Sequence, residues 1–579
     1  MTRRRAWKWA GFVVAAALAL TACTTIPSAG PVNEGAGVVA STDPFVPIAE
    51  GPRADDGPTA IVSGFVKASS AGFASDFSVA KQYLTSPADT TWDPTARVIV
   101  FDSGALTPKF NRADSTVSYD IPVLATIDES GRMTEAADGT RETLTFEMAR
   151  DAEGQWRISG LDDGTILAGA TFDRQFTQVS LVFASVDEST QVPEMRWLPQ
   201  SKVATLAARE LVEGPSPWLA PAVHTGFPAA SGLDVGSVVV TDGVAAVQLT
   251  ADSAGTAAER SLAEEQLNLT LESLPGIQDV NVTVGGVPLG GDGSASLNPA
   301  PLPSANAAAF IGGKLGVWDG ADLWTVPNEV GGLPAQSSGL AQSFGTPIAA
   351  WIVGGNTLVT SNALDSGVVT LNPADADEEP PTSPMDVDAI YQGNHLVAPT
   401  MDRHGWIWTT ESAGTASVLA LKTNGAKAEV AVDWLRGTTV QAVTVSRDGA
   451  RIAVLSQAGG KQVLEVASIV RGADGSPLTI GEPLTVGVDL GPAIDLTWVD
   501  ALTLAVLGAP AGDARSDLWL VDVGGLTTAL KAVSGAVDVT AREGERSLVV
   551  VNAQGEVYAR SGTDWSHVTT GPSQLAYAG

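Results

Sequence analysis

One cysteine and four histidines are all the thiol and imidazole chemistry in 579 residues: Cys23, His224, His395, His404 and His567. None of the histidines falls in the His-Glu-x-x-His spacing that sets two metal ligands on one helix face. No Gly-x-Ser-x-Gly elbow raises a nucleophilic serine, and Gly312-Gly313-Lys314 lacks the upstream glycine and the following Ser or Thr of a phosphate loop. The acidic run Asp375-Ala376-Asp377-Glu378-Glu379 leads into Pro380-Pro381 without the glycine of a calcium loop, so it reads as a solvated loop. His404 is the most interesting imidazole, because Asp402 could orient it, yet Asp402-Arg403-His404-Gly405 is also ordinary turn composition. Trp318, Trp324, Trp351, Trp406 and Trp408 could line a sugar-binding face, but at strand positions such rings more often form core between sheets. No catalytic, metal or cofactor residue is assigned, and the chain is expected not to be an enzyme.

Cys23 has a different use. Arg3, Arg4, Arg5 and Lys8 make a basic start, and Ala10 to Leu20 is an apolar run of 11 residues. That run is well short of the roughly 20 residues that span a bilayer. Leu20-Thr21-Ala22-Cys23 then places small residues before a thiol that can accept diacylglycerol. The pattern reads as a bacterial lipoprotein signal, with cleavage before Cys23 and an N-palmitoyl, S-diacylglycerol cysteine on the outer face of the cell membrane. Each buried CH₂ contributes about 0.8 kcal/mol, so two or three chains anchor where one would not. A twin-arginine route is weakly signalled, since Ala6 and Lys8 break the apolar residues it needs.

With Cys23 lipidated, the mature chain has no disulfide, and its fold must be held by core packing. Removing residues 1–22 takes away four of 33 Lys and Arg and none of 65 Asp and Glu, moving the net charge from −32 to −36. Such a surface argues against nucleic acid and against electrostatic adhesion to anionic lipid.

The elements fall into an order. After the signal (1–22), residues 23–55 are rich in Pro, Gly and small polar residues and read as a tether. In 56–173, Ile61, Phe65 and Val66 share a helical face, and Val79 and Tyr83 mark a second short helix. Strict alternation follows from Val117 to Ile127, then in Leu144, Phe146 and Met148, with Trp156 and Ile158 returning as a hairpin partner. Helices first and antiparallel strands after resemble a cone-shaped, NTF2-like α+β fold. In 174–292, Ser201 is expected to cap a helix bearing Val203, Leu206, Ala207 and Leu211. Val238–Val240 and Val244–Leu249 form strands around Thr241-Asp242-Gly243, and a second helix carries Leu262, Leu267 and Leu271. Val280, Val282 and Val284 then alternate up to Gly285-Gly286. Residues 293–306, with Asn298-Pro299-Ala300-Pro301-Leu302-Pro303, read as a stiff linker.

Everything in 307–579 reads as short strands. A turn followed by an apolar strand recurs at Gly313, Gly355, Gly393, Gly449, Asp500 and Gly544, at steps averaging about 46 residues, the range of a four-stranded propeller blade. Asp322-Leu323-Trp324, Trp406-Ile407-Trp408 and Asp517-Leu518-Trp519 echo one another. The expected fold class is therefore multidomain: two α+β units and an all-β propeller of about six blades.

Ala207-Ala208-Arg209-Glu210-Leu211-Val212-Glu213-Gly214-Pro215, Leu271–Ile277 and Val282–Gly286 closely resemble the GerMN domain, whose implied role is binding. Together with the Cys23 motif and Val445-Ser446-Arg447-Asp448-Gly449-Ala450-Arg451-Ile452-Ala453-Val454, the whole chain resembles the LpqB family of actinobacterial lipoproteins. That resemblance implies an accessory of the MtrAB two-component system. The partner it implies is the extracytoplasmic part of a sensor histidine kinase of the MtrB type, in signalling that governs cell-wall homeostasis and division. A receptor for wall glycan or peptide, using the propeller face, is the alternative expectation.

Overall fold

The computed structural model describes residues 49–102, 106–370, 383–413, 416–510 and 515–579. Pro58 opens the first helix, Pro58–Ser70, where a missing N–H costs nothing. Its buried face, Ile61, Val62 and Phe65, packs against the sheet that follows. Thr116–Asp128 is the long central strand, and Val117, Tyr119, Ile121, Ala125 and Ile127 point inward as their alternation requires. It lies between Arg141–Arg150 and Arg97–Phe101, and Thr165–Ala168 adds a parallel edge. Met148 sits opposite Ile158 and Arg150 opposite Trp156, the expected hairpin. The second short helix is a single turn, Ser78–Lys81; Tyr83 lies beyond it and donates to the Glu50 carbonyl at 2.8 Å.

The next unit begins on a three-stranded sheet, Val223–His224, Phe176–Ser185 and Gln191–Pro199. Its first helix is Val203–Glu213, but Ser201 does not cap it. Ser201 lies in the 3₁₀ turn Gln200–Lys202 and donates to the Phe73 carbonyl at 2.9 Å, tying this unit to the one before. The second helix, Ala257–Glu272, starts with a capping box between Thr256 and Glu259. It makes the crossover between the parallel strands Val244–Leu249 and Asp279–Val284. Val239–Thr241 pairs on the other side through the turn Asp242-Gly243, where both residues have positive φ, as a two-residue hairpin needs. The proline-rich stretch is strapped down where it begins: Asn298 donates to the Ser189 carbonyl at 3.0 Å and accepts from the Gln191 N–H at 2.9 Å.

Beyond residue 306 the described residues form six successive antiparallel sheets. Sheets 2 to 6 start at Ser337–Gln342, Thr400–Met401, Thr439–Val445, Ala493–Trp498 and Ala536–Ala541. Each of these first strands touches the next. Sheet 1 takes its corresponding strand from the end of the chain: Pro572–Ala576 pairs with Ala307–Ile311 and touches both Ser337–Gln342 and Ala536–Ala541. The repeat read from the sequence has the right mean spacing but mixes phases. Gly313 and Gly355 turn between second and third strands, Gly449, Asp500 and Gly544 between first and second, and Gly393 lies between sheets. Glycine-bearing turns close either end of a sheet, so composition alone does not say which end is being read.

The last strand should therefore carry weight out of proportion to its length. Leu575, 2% exposed, truncated to Ala is expected to cost about 2–5 kcal/mol and to lower the propeller's calorimetric transition. Val287→Ala, at a residue 65% exposed, should shift the curve by less than about 0.5 kcal/mol.

Candidate functional site

Cys23, its signal and most of the tether lie outside the described residues, as does the acidic run at 375–379. Three histidines sit apart from any acid–base set among the described residues: His224 meets Glu188 at 3.1 Å, His567 shares a 3.0 Å hydrogen bond with Thr570, and the His395 N–H donates to Asn356 at 3.0 Å. His404 is not oriented by Asp402. The Asp402 carboxylate accepts from the backbone N–H groups of His404 and Trp406, both at 2.9 Å, from Trp408 Nε1 at 2.8 Å and from Arg471 at 2.6 Å. It shapes the turn rather than the ring. Burial, with the Arg471 and Arg403 guanidiniums alongside, lowers the His404 pKa to about 4, so the ring is neutral at physiological pH.

The tryptophans do not line a sugar face. Trp351 and Trp408 are fully buried, Trp318 and Trp406 nearly so, and half-buried Trp324 donates to Asp319 at 3.3 Å. They are core.

What the turns do instead is build a junction. Successive strands reverse direction, so the first–second and third–fourth turns of every sheet share one end. At that end Arg403 reaches out of the Asp402–Gly405 turn and grips Asp187 with two hydrogen bonds, at 2.7 and 2.9 Å, while its Nε donates to the Asp448 carbonyl at 2.8 Å. The pair holds the Asp187 carboxyl well below the ordinary range. Asp448 also pairs with fully buried Arg451, which donates to the Pro193 carbonyl at 3.3 Å. Further round, Trp197 Nε1 donates to the Gly524 carbonyl at 3.0 Å, and Glu135 accepts from the Thr527 N–H and hydroxyl at 2.8 and 2.7 Å. Thus both α+β units hold the same end of the propeller. At the opposite end, Gly312-Gly313, Gly354–Asn356, Gly459-Gly460 and Ala553–Gly555 make no hydrogen bond to either unit among the described residues.

Between the ends runs a cavity of about 240 Å³, lined by the first strands of the sheets. Asp495 faces it and accepts from the Val539 N–H of the next sheet at 3.0 Å; Asp538 likewise accepts from the Leu575 N–H of the last strand at 3.0 Å. No cation balances them among the lining residues. Burial raises both carboxyls, and at Asp538 the neighbouring Asp495 charge raises it further. Neither residue was singled out from the sequence, although Ala493-Ile494-Asp495-Leu496 and Ala536-Val537-Asp538-Val539 are a visible echo.

Comparison with known proteins places these units. A family model described as the lipoprotein LpqB beta-propeller domain matches residues 368–576, and one described as the LpqB N-terminal domain matches 51–173. A third, Germane, described as sporulation and spore germination, matches 180–290. The chain is 29% identical over 590 residues to "Lipoprotein LpqB" of Thermobifida fusca, covering 90% of each chain. It is 24% identical over 595 residues to that of Bifidobacterium longum, covering 98% of each. Among solved structures, the tandem GerMN domains of the sporulation protein GerM from Bacillus subtilis match 21% of this chain and 45% of that one at 21% identity, with a TM-score of 0.18. No described helix is long and apolar enough to cross a membrane.

The paired carboxylates give the propeller a pH dependence of definite sign. Their folded pKa values lie above the unfolded ones, so the folded state holds protons that the unfolded chain has released, and stability falls as pH rises. Above pH about 7.5, where His404 is essentially neutral in the unfolded chain as well as in the folded one, the wild-type transition is expected to drop with pH. Asp538→Asn should flatten that slope and raise the transition at pH about 8. Parallel slopes for the two proteins in a calorimetric pH series would contradict the assignment.

Proposed function

Because this chain belongs to the LpqB lipoprotein family, we propose that it is a lipid-anchored accessory protein on the outer face of the cell membrane, working by contact with the extracytoplasmic part of a sensor histidine kinase of the MtrB type. Cys23 carries the lipid, and residues 23–55 lift the folded part off the bilayer. We read 56–173 as an NTF2-like unit, 174–292 as GerMN and 307–579 as a six-bladed propeller that its terminal strand closes.

One observation supports a binding role most directly. Val235, Val239, Val240, Val244 and Val287 are large exposed hydrophobics that belong to the single four-stranded sheet of the GerMN-like unit or its entry loop. Val239 and Val244 are diagonal neighbours on the outer face, whereas Val240 and Val287 lie on the two opposite edge strands. Clustered apolar surface such as the first pair marks a contact site more often than scattered residues do. A protein contacting the kinase outside the membrane shifts its state only by binding one conformation better, and about 1.4 kcal/mol of preference changes that equilibrium tenfold. Anchoring both molecules in one membrane raises their effective concentration, so a weak contact suffices.

Val239 and Val244 lie on the same face of the sheet. The double variant Val239→Lys, Val244→Lys should weaken binding of the mature chain to a purified kinase ectodomain by about tenfold or more, and unchanged affinity would contradict the surface. Separately, Cys23→Ser should abolish metabolic labelling with palmitate; label retained on the variant would overturn the anchor.

A further inference from the structure

A cleft of about 700 Å³ separates the first α+β unit from the GerMN-like unit, within the size range of ligand sites. Its floor is a seam of rings. Phe73 meets Phe77 at 5.1 Å and Phe176 at 4.9 Å, and Phe172 carries the seam on to Trp197 at 5.1 Å. The rim is acidic: Asp76, Asp128, Glu129, Glu210 and Glu213 face only Lys202 and Arg209.

Both cations are already matched. Lys202 holds Asp76 at 2.5 Å, and Arg209 holds Glu210 at 3.0 Å and Glu213 at 3.8 Å. Asp128 is paired from outside the cleft by Arg132 at 2.8 Å. Glu129 has no ion-pair partner among the described residues and Glu213 is held only at 3.8 Å, so these two carry the rim's surplus charge; Glu210, buried beneath them, is raised by desolvation and adds less. The cleft therefore has apolar area to cover and negative charge left over.

One end of the cleft points to an extended ligand. Gly236 lines it, and the Val238 N–H donates to the Thr205 hydroxyl in its wall at 3.0 Å. The chain then enters the edge strand Val239–Thr241. Thr241 and Val244 flank a two-residue turn and so exchange both hydrogen bonds, which leaves the Val240 N–H and C=O facing away from the partner strand. A peptide leaving the cleft in extended form meets an open backbone edge.

We propose that this cleft is a second binding site, taking an extended peptide segment of a partner protein that carries lysine or arginine together with apolar side chains. The inference does not depend on which protein supplies the segment, and so it stands or falls apart from the kinase reading.

The test uses the mature full chain and a short labelled peptide of alternating lysine and valine, with its glutamate–valine counterpart and spermine as further probes. Fluorescence anisotropy should show the lysine peptide binding, the glutamate peptide failing to bind, and spermine competing only weakly. Glu129→Lys with Glu213→Lys, both on the exposed rim, should weaken the lysine peptide by about tenfold or more. Asp365→Lys with Asp433→Lys changes the net charge equally at exposed positions remote from the cleft and should leave binding within about twofold. Equal weakening by the two double variants would show attraction to net charge alone and overturn the site. Competition by spermine as strong as the peptide's own would overturn the peptide assignment. Kinase binding that survives loss of peptide binding would separate this site from the valine surface and leave the inference standing.

Discussion

The architecture depends on one arginine in the middle of a short turn. Arg403 is the point where a guanidinium from the propeller, a carboxylate from the GerMN-like unit and a carbonyl from the neighbouring sheet meet. Its fork geometry suits Asp187, and its Nε is fixed by a turn that Asp448 itself organises through Ser446 and Ala450. Behind it, Arg451 and Arg471 are buried with their own carboxylates and lie over Trp498 and Trp408 at 5.3 and 5.4 Å. Buried pairs of this kind add little to stability compared with apolar packing, but removing one partner leaves a desolvated charge. Their value lies in specifying one arrangement of turns.

That arrangement divides the propeller's surface. The end holding the first–second turns is taken up by the chain's own α+β units, while the end bearing Gly312-Gly313, Gly354–Asn356 and Gly459-Gly460 meets neither among the described residues. An accessory lipoprotein built this way offers partners three kinds of surface: a free propeller end, a valine-rich sheet and an acid-rimmed cleft. The strong net negative charge, −32 over the full sequence, keeps such a body from adhering to acidic polymers, so contact has to come from local complementarity.

Much of the fold was legible because it follows from period. Val117 to Ile127 alternates and is a strand; the helix with Leu262, Leu267 and Leu271 and the Asp242-Gly243 hairpin sit where their patterns put them. Tertiary contact overrode local preference at Ser201, a good capping residue that instead bonds across to Phe73. The propeller repeat had a legible spacing and an ambiguous phase, because glycine turns occur at both ends of a sheet. Least legible was the junction. Arg403 and Asp187 are 216 residues apart, and neither carries a motif, so no local pattern could pair them. The Asp495 and Asp538 echo was readable, but its meaning required knowing that both strands border a cavity.

Hydrogen exchange on the mature chain carrying Arg403→Ala tests the central claim most directly. If the guanidinium holds the propeller against the GerMN-like unit, amides in 185–191 and in 402–406 should exchange faster together, while those in sheets 2 and 6 keep wild-type protection. Unchanged exchange on both sides of the junction would contradict that account.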